Sequence, residues 1–153
     1  MVLDKDFREF IQLLNENKVK YLVIGGYAVA FHGYPRYTKD LDFWIWANPD
    51  NADRLLKTIK DFGLGSMNLS KEDLLDLDNV IQIGYEPNRI DVIIDLEGLD
   101  FESCYDRRID STMDDINVPF IGLEDLIKNK LTTGRMQDKV DANKLKKSKG
   151  KKK

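Results

Sequence analysis

Two aspartates separated by one residue, Asp40 and Asp42, open an apolar stretch that reads DLDFWIW. Successive side chains on a β-strand alternate between its faces, so both carboxylates are predicted to project to one side while Leu41 projects to the other. Like charges this close repel unless a cation neutralises them, and hard oxygen ligands suit Mg²⁺ or Mn²⁺. The pair is therefore a candidate metal site.

A glycine pair, Gly25-Gly26, ends the apolar run YLVI that precedes it. Backbone without side chains can approach a ligand closely, and N–H groups at the start of a helix can bind phosphate. The segment 27–32 that follows is predicted to be a short helix. A metal site and a phosphate-binding turn would then be separated by that one helix.

A third acid lies much later, within the stretch NRIDVII. If this stretch is a strand, Ile90 and Val92 face one way and Asp91 faces the other. A carboxylate among apolar residues is costly to bury without a cation or another partner. Asp91 is thus the preferred third carboxylate, and Asp95, further along the strand, is the alternative.

The order of these features resembles the polymerase-beta-type nucleotidyltransferase superfamily, in particular its minimal stand-alone members. The likeness covers about Val19 to Leu145, most of the chain. A lone Asp-x-Asp would be weak evidence, but several separate conditions are met here in the right order. The matching pieces are Gly25, Gly26, Ala28, His32, Gly33, Arg36, Thr38, Asp40, Leu41, Asp42, Asp91 and the closing segment LEDLIKNKLTTGRMQDKVDANKL.

The resemblance implies an α/β (α+β) fold with a mixed sheet flanked by helices. It also implies Mg²⁺- or Mn²⁺-dependent transfer of a nucleoside monophosphate from an NTP to an acceptor, by a two-metal mechanism. One metal would be held by Asp40 and Asp42, and a second would be shared with Asp91. The residues implied to bind nucleotide are Gly25, Gly26, Arg36, Thr38, Lys130 and Arg135, with Asp138 nearby. Many relatives carry Ser where Gly26 stands, so one phosphate contact is missing here.

The acceptor implied by the resemblance is RNA, a protein or a small molecule. A partner chain, as in toxin–antitoxin pairs, or a homodimer is expected to complete the acceptor cleft, because little sequence follows the core. Two other functions stay open: a non-catalytic nucleotide-binding or antitoxin-type module, and a plain metal-binding structural domain.

Several of these residues also have simpler interpretations. A lone histidine next to glycine, as at His32, is more often a packing or hydrogen-bonding residue than a base. Arg36 could be surface charge rather than a brace for the carboxylates or a phosphate contact. Lys130, Arg135 and Asp138 could form ion pairs on a helix surface.

The chain has 153 residues, of which 42% are hydrophobic and 33% charged, as expected for one globular domain. Apolar runs fall short of the roughly 20 residues that cross a bilayer, and the first residues lack the pattern of a signal peptide. We therefore expect a cytoplasmic protein without membrane contact. The single cysteine, Cys104, is predicted to fill a gap in the core.

Charge is distributed unevenly along the sequence. Residues 144–153 contain seven lysines and no acid, which leaves 17 basic and 27 acidic residues in the predicted domain, 1–143. An acidic body argues against broad nucleic-acid binding by the fold itself. The lysine-rich tail is predicted to be disordered, since blocks of like charge usually are; the alternative is a clamp for an RNA backbone.

Periodicity and end signals predict the elements that position these residues. A helix over 4–17 is predicted to begin at Asp4, and a hairpin is predicted around Glu86-Pro87-Asn88. A capping box from Ser70 to Asp73 predicts a short helix to residue 77. The remaining predictions are strands at 19–24, 40–46 and 116–121, a loop or short helix at 101–108, and helices at 51–62, 122–132 (Leu123, Leu126, Ile127 and Leu131 inward) and 135–145, the last two packed on the domain.

Overall fold

A computed structural model describes residues 3–34, 38–84, 88–133 and 136–151. Twelve helices and strands carry the architecture of this part of the chain, and a π-helical turn (Lys60–Leu64) and a 3₁₀ turn (Gly65–Met67) follow the third helix. In chain order they are α1 (Lys5–Glu16), β1 (Tyr21–Ile24), α2 (Gly25–Phe31), β2 (Leu41–Ile45), α3 (Pro49–Ile59), β3 (Val80–Ile83), β4 (Ile90–Ile93), α4 (Phe101–Asp106), β5 (Ile109–Met113), β6 (Ile116–Phe120), α5 (Leu123–Thr133) and α6 (Met136–Lys151).

The helix ends follow local side-chain chemistry. The Asp4 carboxylate accepts a hydrogen bond from the Asp6 N–H at 3.0 Å, which confirms the predicted start of α1. The Asn48 side chain accepts from the Asp50 N–H at 3.0 Å, so α3 begins at Pro49, slightly earlier than predicted.

The strands form one six-stranded sheet in the order β3-β4-β2-β1-β6-β5. β1 pairs with β2 antiparallel and with β6 parallel, β2 pairs with β4 parallel, and β3–β4 and β5–β6 are antiparallel pairs. The predicted α/β fold with a mixed sheet is therefore confirmed. The parallel pairing of β2 with β4 matters most, because it places two distant sequence segments side by side.

The two faces of the sheet are covered by different helices. Leu41, Phe43 and Ile45 lie in the core that α1 and α3 cover. Trp44 faces the other way and its ring meets Phe101 of α4 edge-on at 5.1 Å between centroids. The predicted alternation along β2 is therefore confirmed, and Trp44 is part of the second core.

Cys104, also on α4, is fully buried in this second core. This position agrees with the predicted packing role of Cys104 and with its thiol pKa, which desolvation by burial, followed by the nearby Asp125 charge, raises to about 11.

Strand β5 was not predicted from the sequence. Its residues IDSTM lack an alternating apolar pattern because it is an edge strand that relies on backbone pairing with β6, for instance at Ser111 opposite Val118. The predicted strand at 116–121 and the predicted β3–β4 hairpin are confirmed, and the turn residues 85–87 lie outside the described residues.

Three further predictions differ from the structure. The capping-box bonds of Ser70 and Asp73 form at 2.9 and 3.2 Å, but residues 71–75 make turns rather than a helix, since one capping pair does not stabilise so short a helix. Leu131 is exposed rather than inward, because Lys130 takes the buried position where α5 meets α6. Residues 144–151 continue α6 instead of forming a disordered tail; lysine favours helix, and Leu145 is fully buried.

Within the described ranges, every helix is too short or too polar to pass through a lipid bilayer.

Candidate active site

The parallel pairing of β2 and β4 places Asp42 directly opposite Asp91. Neighbouring strands lie roughly 4.8 Å apart, and residues paired in register project to the same face. The two carboxylates are therefore adjacent although 49 positions separate them in the chain. Asp91, rather than Asp95, occupies the paired position, because β4 ends at Ile93 and Asp95 is exposed beyond it.

Arg89 connects Asp40 to the pair formed by Asp42 and Asp91. Its Nε donates to Asp91 Oδ1 at 2.8 Å, and its Nη2 donates to Asp91 Oδ2 and Asp40 Oδ2, both at 3.1 Å. One guanidinium thus bridges Asp40 and Asp91, so all three predicted carboxylates converge. The side chains of Arg89, Asp40 and Asp91 are 26%, 27% and 13% exposed, respectively.

Sequence reasoning missed Arg89. The signal was available, because a residue two positions before a strand aspartate shares its face and is a natural partner for its charge. The role that the resemblance suggested for Arg36, bracing the carboxylates, is filled by Arg89 among the described residues. Arg36 itself lies outside them.

Asp42 is held in an electrostatically unfavourable place. Its pKa is raised to about 7, first by desolvation on burial and then by the nearby charges of Asp91 and Asp40. Lys130 and then Arg89 lower it, but less strongly. Negative charge is therefore in excess around Asp42 at neutral pH.

Gly25 makes room for this carboxylate. It has a φ of +68°, and a Cβ at this position would collide with Asp42 Oδ2. Only glycine satisfies both conditions at once. The sequence predicted a glycine for the close approach of a ligand, and the structure shows that Asp42 itself requires it.

Lys130 lies in a buried charge cluster between α5 and α6. Its Nζ is 2.9 Å from Asp138 Oδ1 and 3.5 Å from Asp141 Oδ2, and the three side chains are 1–6% exposed. The alternative of a helix-surface ion pair is wrong in one respect, because the pair is buried. Asp141 was missed, since its place in the sequence is an ordinary polar helix position.

The other predicted residues are placed as follows. The Thr38 hydroxyl donates to the carbonyl oxygen of Asp40 at 3.3 Å and so stabilises the approach to β2. His32 is buried, with Nε2 2.8 Å from the Ile121 carbonyl oxygen, which confirms a packing and hydrogen-bonding role. Gly26 is buried in the first turn of α2. Arg135 lies outside the described residues.

The acids fit a hard divalent cation in their chemistry, since all three offer carboxylate oxygens and Asp42 carries a charge that its neighbours disfavour. In the structure, these three acids are not already arranged to bind a metal ion. Within residues 3–34, 38–84, 88–133 and 136–151, no trio of His, Cys, Asp or Glu is positioned to hold a metal ion. Arg89 lies between Asp40 and Asp91 instead.

Several solved structures have a similar fold. The lincosamide antibiotic adenylyltransferase LnuA, solved with lincomycin bound, is 16% identical, with 95% of this chain and 97% of that chain aligned at a TM-score of 0.58. TM1012 of Thermotoga maritima, assigned as a nucleotidyltransferase, is 17% identical over 95% and 91% at 0.59.

A third similar structure is an antigenic nucleotidyltransferase-like protein from Paracoccidioides brasiliensis. It is 15% identical, with 94% of this chain and 74% of that chain aligned at a TM-score of 0.53. At these identities the three likenesses establish the fold.

Sequence comparison identifies the family to which the chain belongs. No curated protein matched it. The family model described as nucleotidyltransferase of unknown function (DUF6036) matches residues 2–148, nearly all of the sequence. With this match and with the fold of the neighbouring structures, the chain belongs to that nucleotidyltransferase family.

Proposed function

We propose that the protein is a Mg²⁺- or Mn²⁺-dependent nucleotidyltransferase that moves a nucleoside monophosphate from an NTP to an acceptor hydroxyl. The observation that carries the proposal is the convergence of Asp40, Asp42 and Asp91 beside Gly25. Family membership supports nucleotidyl transfer in general, and the carboxylates supply the specific chemistry.

The proposed reaction is a single displacement at the α-phosphorus of the NTP. The acceptor oxygen forms a bond to that phosphorus, the bond to the bridging oxygen breaks, and pyrophosphate leaves with the electron pair. Asp91 accepts the proton of the attacking hydroxyl. The backbone N–H groups at Gly25 and Gly26 hold phosphate oxygens, and Thr38, Arg36 and Arg135 are the further nucleotide contacts proposed from the resemblance.

The divalent metal ions would be held by Asp40, Asp42 and Asp91, and would neutralise the departing pyrophosphate and lower the pKa of the acceptor hydroxyl. Arg89 has to release Asp40 or Asp91 for the carboxylates to turn toward such an ion. Lys130 acts on the site through its charge, which already lowers the pKa of Asp42, while its ammonium stays paired with Asp138 and Asp141.

The test is incubation with α-labelled NTPs and Mg²⁺, with cellular RNA, cellular protein or a small hydroxylated molecule as acceptor. Lincomycin is one such molecule, because it is bound in the structure of the adenylyltransferase LnuA. Label is expected to appear on one acceptor class with the wild-type protein. Asp42→Asn is expected to lower the rate by about a thousandfold, as for the loss of a central electrostatic group.

Asp106→Asn is the matched control, because it makes the same change on an exposed aspartate at the end of α4, outside the strands that carry the acids. It should transfer label at close to the wild-type rate. Equal loss in both variants, or transfer that survives Asp42→Asn, would contradict the proposed roles of the carboxylates.

The second candidate is a nucleotide-binding module without transfer, such as an antitoxin that acts through a partner chain. The bridging of Asp40 and Asp91 by Arg89 favours it, because the metal-binding arrangement is not already assembled. It predicts NTP binding by calorimetry without label on any acceptor. A partner chain, a homodimer and a cytoplasmic location remain predictions from the sequence.

A further inference from the structure

A row of paired residues continues from the carboxylates to the edge of the sheet. Asp42 on β2 pairs with Asp91 on β4, and Asp91 pairs with Gln82 on β3. A second row runs parallel to it, from Trp44 through Ile93 to Val80. Paired residues project to one face, so Gln82 lies beside Asp91 and Val80 lies beside Ile93 on the face that carries the acids.

The part of this face over β3 is exposed to solvent, whereas the neighbouring part over β2 is covered. Trp44 is fully buried beneath Phe101 of α4, whereas Val80 is 54% exposed and Gln82 is also exposed. Ile93 is half-buried at the boundary. Helical cover therefore stops at β2 and β4, and we name the exposed patch of Val80, Gln82 and Ile93 the outer β3–β4 surface.

The composition of the outer β3–β4 surface suits a small organic molecule. Val80 and Ile93 offer apolar contact, and the Gln82 amide can both donate and accept hydrogen bonds roughly 5 Å from Asp91.

The surrounding charge indicates which molecules can bind there. Asp78 lies two residues before Val80 and Asp95 lies two residues after Ile93, and both are exposed at the same end of the hairpin. Asp91, the residue paired with Gln82, borders the other side together with Asp40, and the guanidinium of Arg89 bridges these two acids. The exposed carboxylates of Asp78 and Asp95 therefore attract a cation to this patch and disfavour an anion there.

We propose that the outer β3–β4 surface is the acceptor subsite, and that it takes a small hydroxylated molecule that carries a positive charge. This inference rests on the proposed transferase function and names its substrate class. Gln82 would position the acceptor so that its hydroxyl faces Asp91, while Val80 and Ile93 contact its apolar part. RNA is not expected to bind at this subsite, because its backbone is negatively charged.

The experiment uses three probes with one skeleton and different charge: 2-amino-2-phenylethanol (cationic), 1-phenylethane-1,2-diol (neutral) and mandelate (anionic). Each is titrated into the ¹⁵N-labelled full chain and followed by NMR. The largest shifts are expected at the Val80 and Ile93 amides and at the Gln82 side chain. The cation is expected to bind most tightly and the anion most weakly.

Val80→Lys tests the charge preference. It is expected to weaken binding of the cationic probe about fivefold and to strengthen binding of mandelate, as one added charge at contact distance would do in water. A merely structural disturbance would weaken all three probes together. Ile109→Lys is the matched control, because Ile109 is 41% exposed on β5 at the opposite edge of the sheet and should leave all three affinities unchanged.

Gln82→Ala is expected to raise the KM for the cationic acceptor in the labelling assay. Shifts centred elsewhere, preference for mandelate, or binding by none of the probes would overturn the inference and leave the proposed function intact. Labelling of RNA that Val80→Lys improves would also overturn it. Failure of the proposed function is distinct: the wild-type protein would then transfer label to no acceptor.

Discussion

The protein contains two clusters of acid and base that share residue types but differ in burial. In the strand cluster, Arg89 bridges Asp40 and Asp91 beside Asp42, and the bridged side chains retain 13–27% of their exposure. In the helix cluster, Lys130 pairs with Asp138 and Asp141, and at most 6% of any of these side chains is exposed. The first cluster is accessible from outside, and the second is enclosed by α5 and α6.

This difference in burial separates the proposed binding site from an ion-pair cluster that stabilises the fold. The pKa of Asp42 is raised because the fold buries its carboxyl and keeps like charges close to it. This arrangement costs stability, as is common in active sites. The helix cluster joins residues of α5 and α6, so it holds the helical hairpin together. The ammonium of Lys130 serves that hairpin, although its field extends to Asp42.

The largest effect on the free energy of unfolding is expected at Lys130. Lys130→Met is expected to lower the free energy of unfolding by about 3–5 kcal/mol, because it leaves two buried carboxylates without their cation. Denaturant unfolding measures this change. Lys128→Met, on an exposed position of the same helix, should alter the free energy by less than about 0.5 kcal/mol. A stable Lys130→Met protein with weak NTP binding would make Lys130 a ligand residue instead.

The second largest effect on the free energy of unfolding is expected at Asp42, where a substitution should stabilise the protein rather than destabilise it. A carboxyl whose pKa is raised from 3.8 to about 7 on folding stabilises the fold below pH 3.8 and loses that contribution as the pH rises through 7. Asp42→Asn should therefore stabilise the metal-free protein above pH 7, by at most roughly 4 kcal/mol, and have little effect near pH 3.5.

Thermal melting in the presence of a chelator, at acidic and at mildly alkaline pH, measures this difference, with Asp95→Asn as control. Added Mg²⁺ or Mn²⁺ should stabilise the wild-type protein and not Asp42→Asn. An Asn variant that melts below the wild-type protein at alkaline pH would show that Asp42 is a structural residue like Asp138.

Arg89 should give the smallest effect of the three. Arg89→Gln is expected to destabilise the metal-free protein by about 1–3 kcal/mol, the usual range for hydrogen bonds to charged groups. The loss should disappear when a divalent ion is added, because the ion replaces the guanidinium charge. Arg8→Gln, which removes the ion pair with Asp114 far along the chain, is the control whose loss should not respond to metal.

Much of the carboxylate arrangement was predictable because strand periodicity is local. Asp40 and Asp42 were assigned to one face of a strand, and Asp91 to the face opposite Ile90 and Val92, from alternation alone. The parallel pairing of β2 with β4 was not predictable, because sequence does not specify which strands become neighbours. The resemblance supplied the expectation that the three acids meet, and the register of Asp42 with Asp91 provides the geometry.

Elsewhere the sequence determined what depends on near neighbours: the start of α1 at Asp4, the hairpin of β3 and β4, and the alternating core of β2. Tertiary structure decided what depends on distant contacts. It gave β5 its pairing, buried Lys130 instead of Leu131, brought Arg89 to two of the acids and left Val80 uncovered at the sheet edge. The reason is physical, since hydrogen bonding and capping act within a few residues, whereas burial and electrostatic energy depend on the whole packed chain.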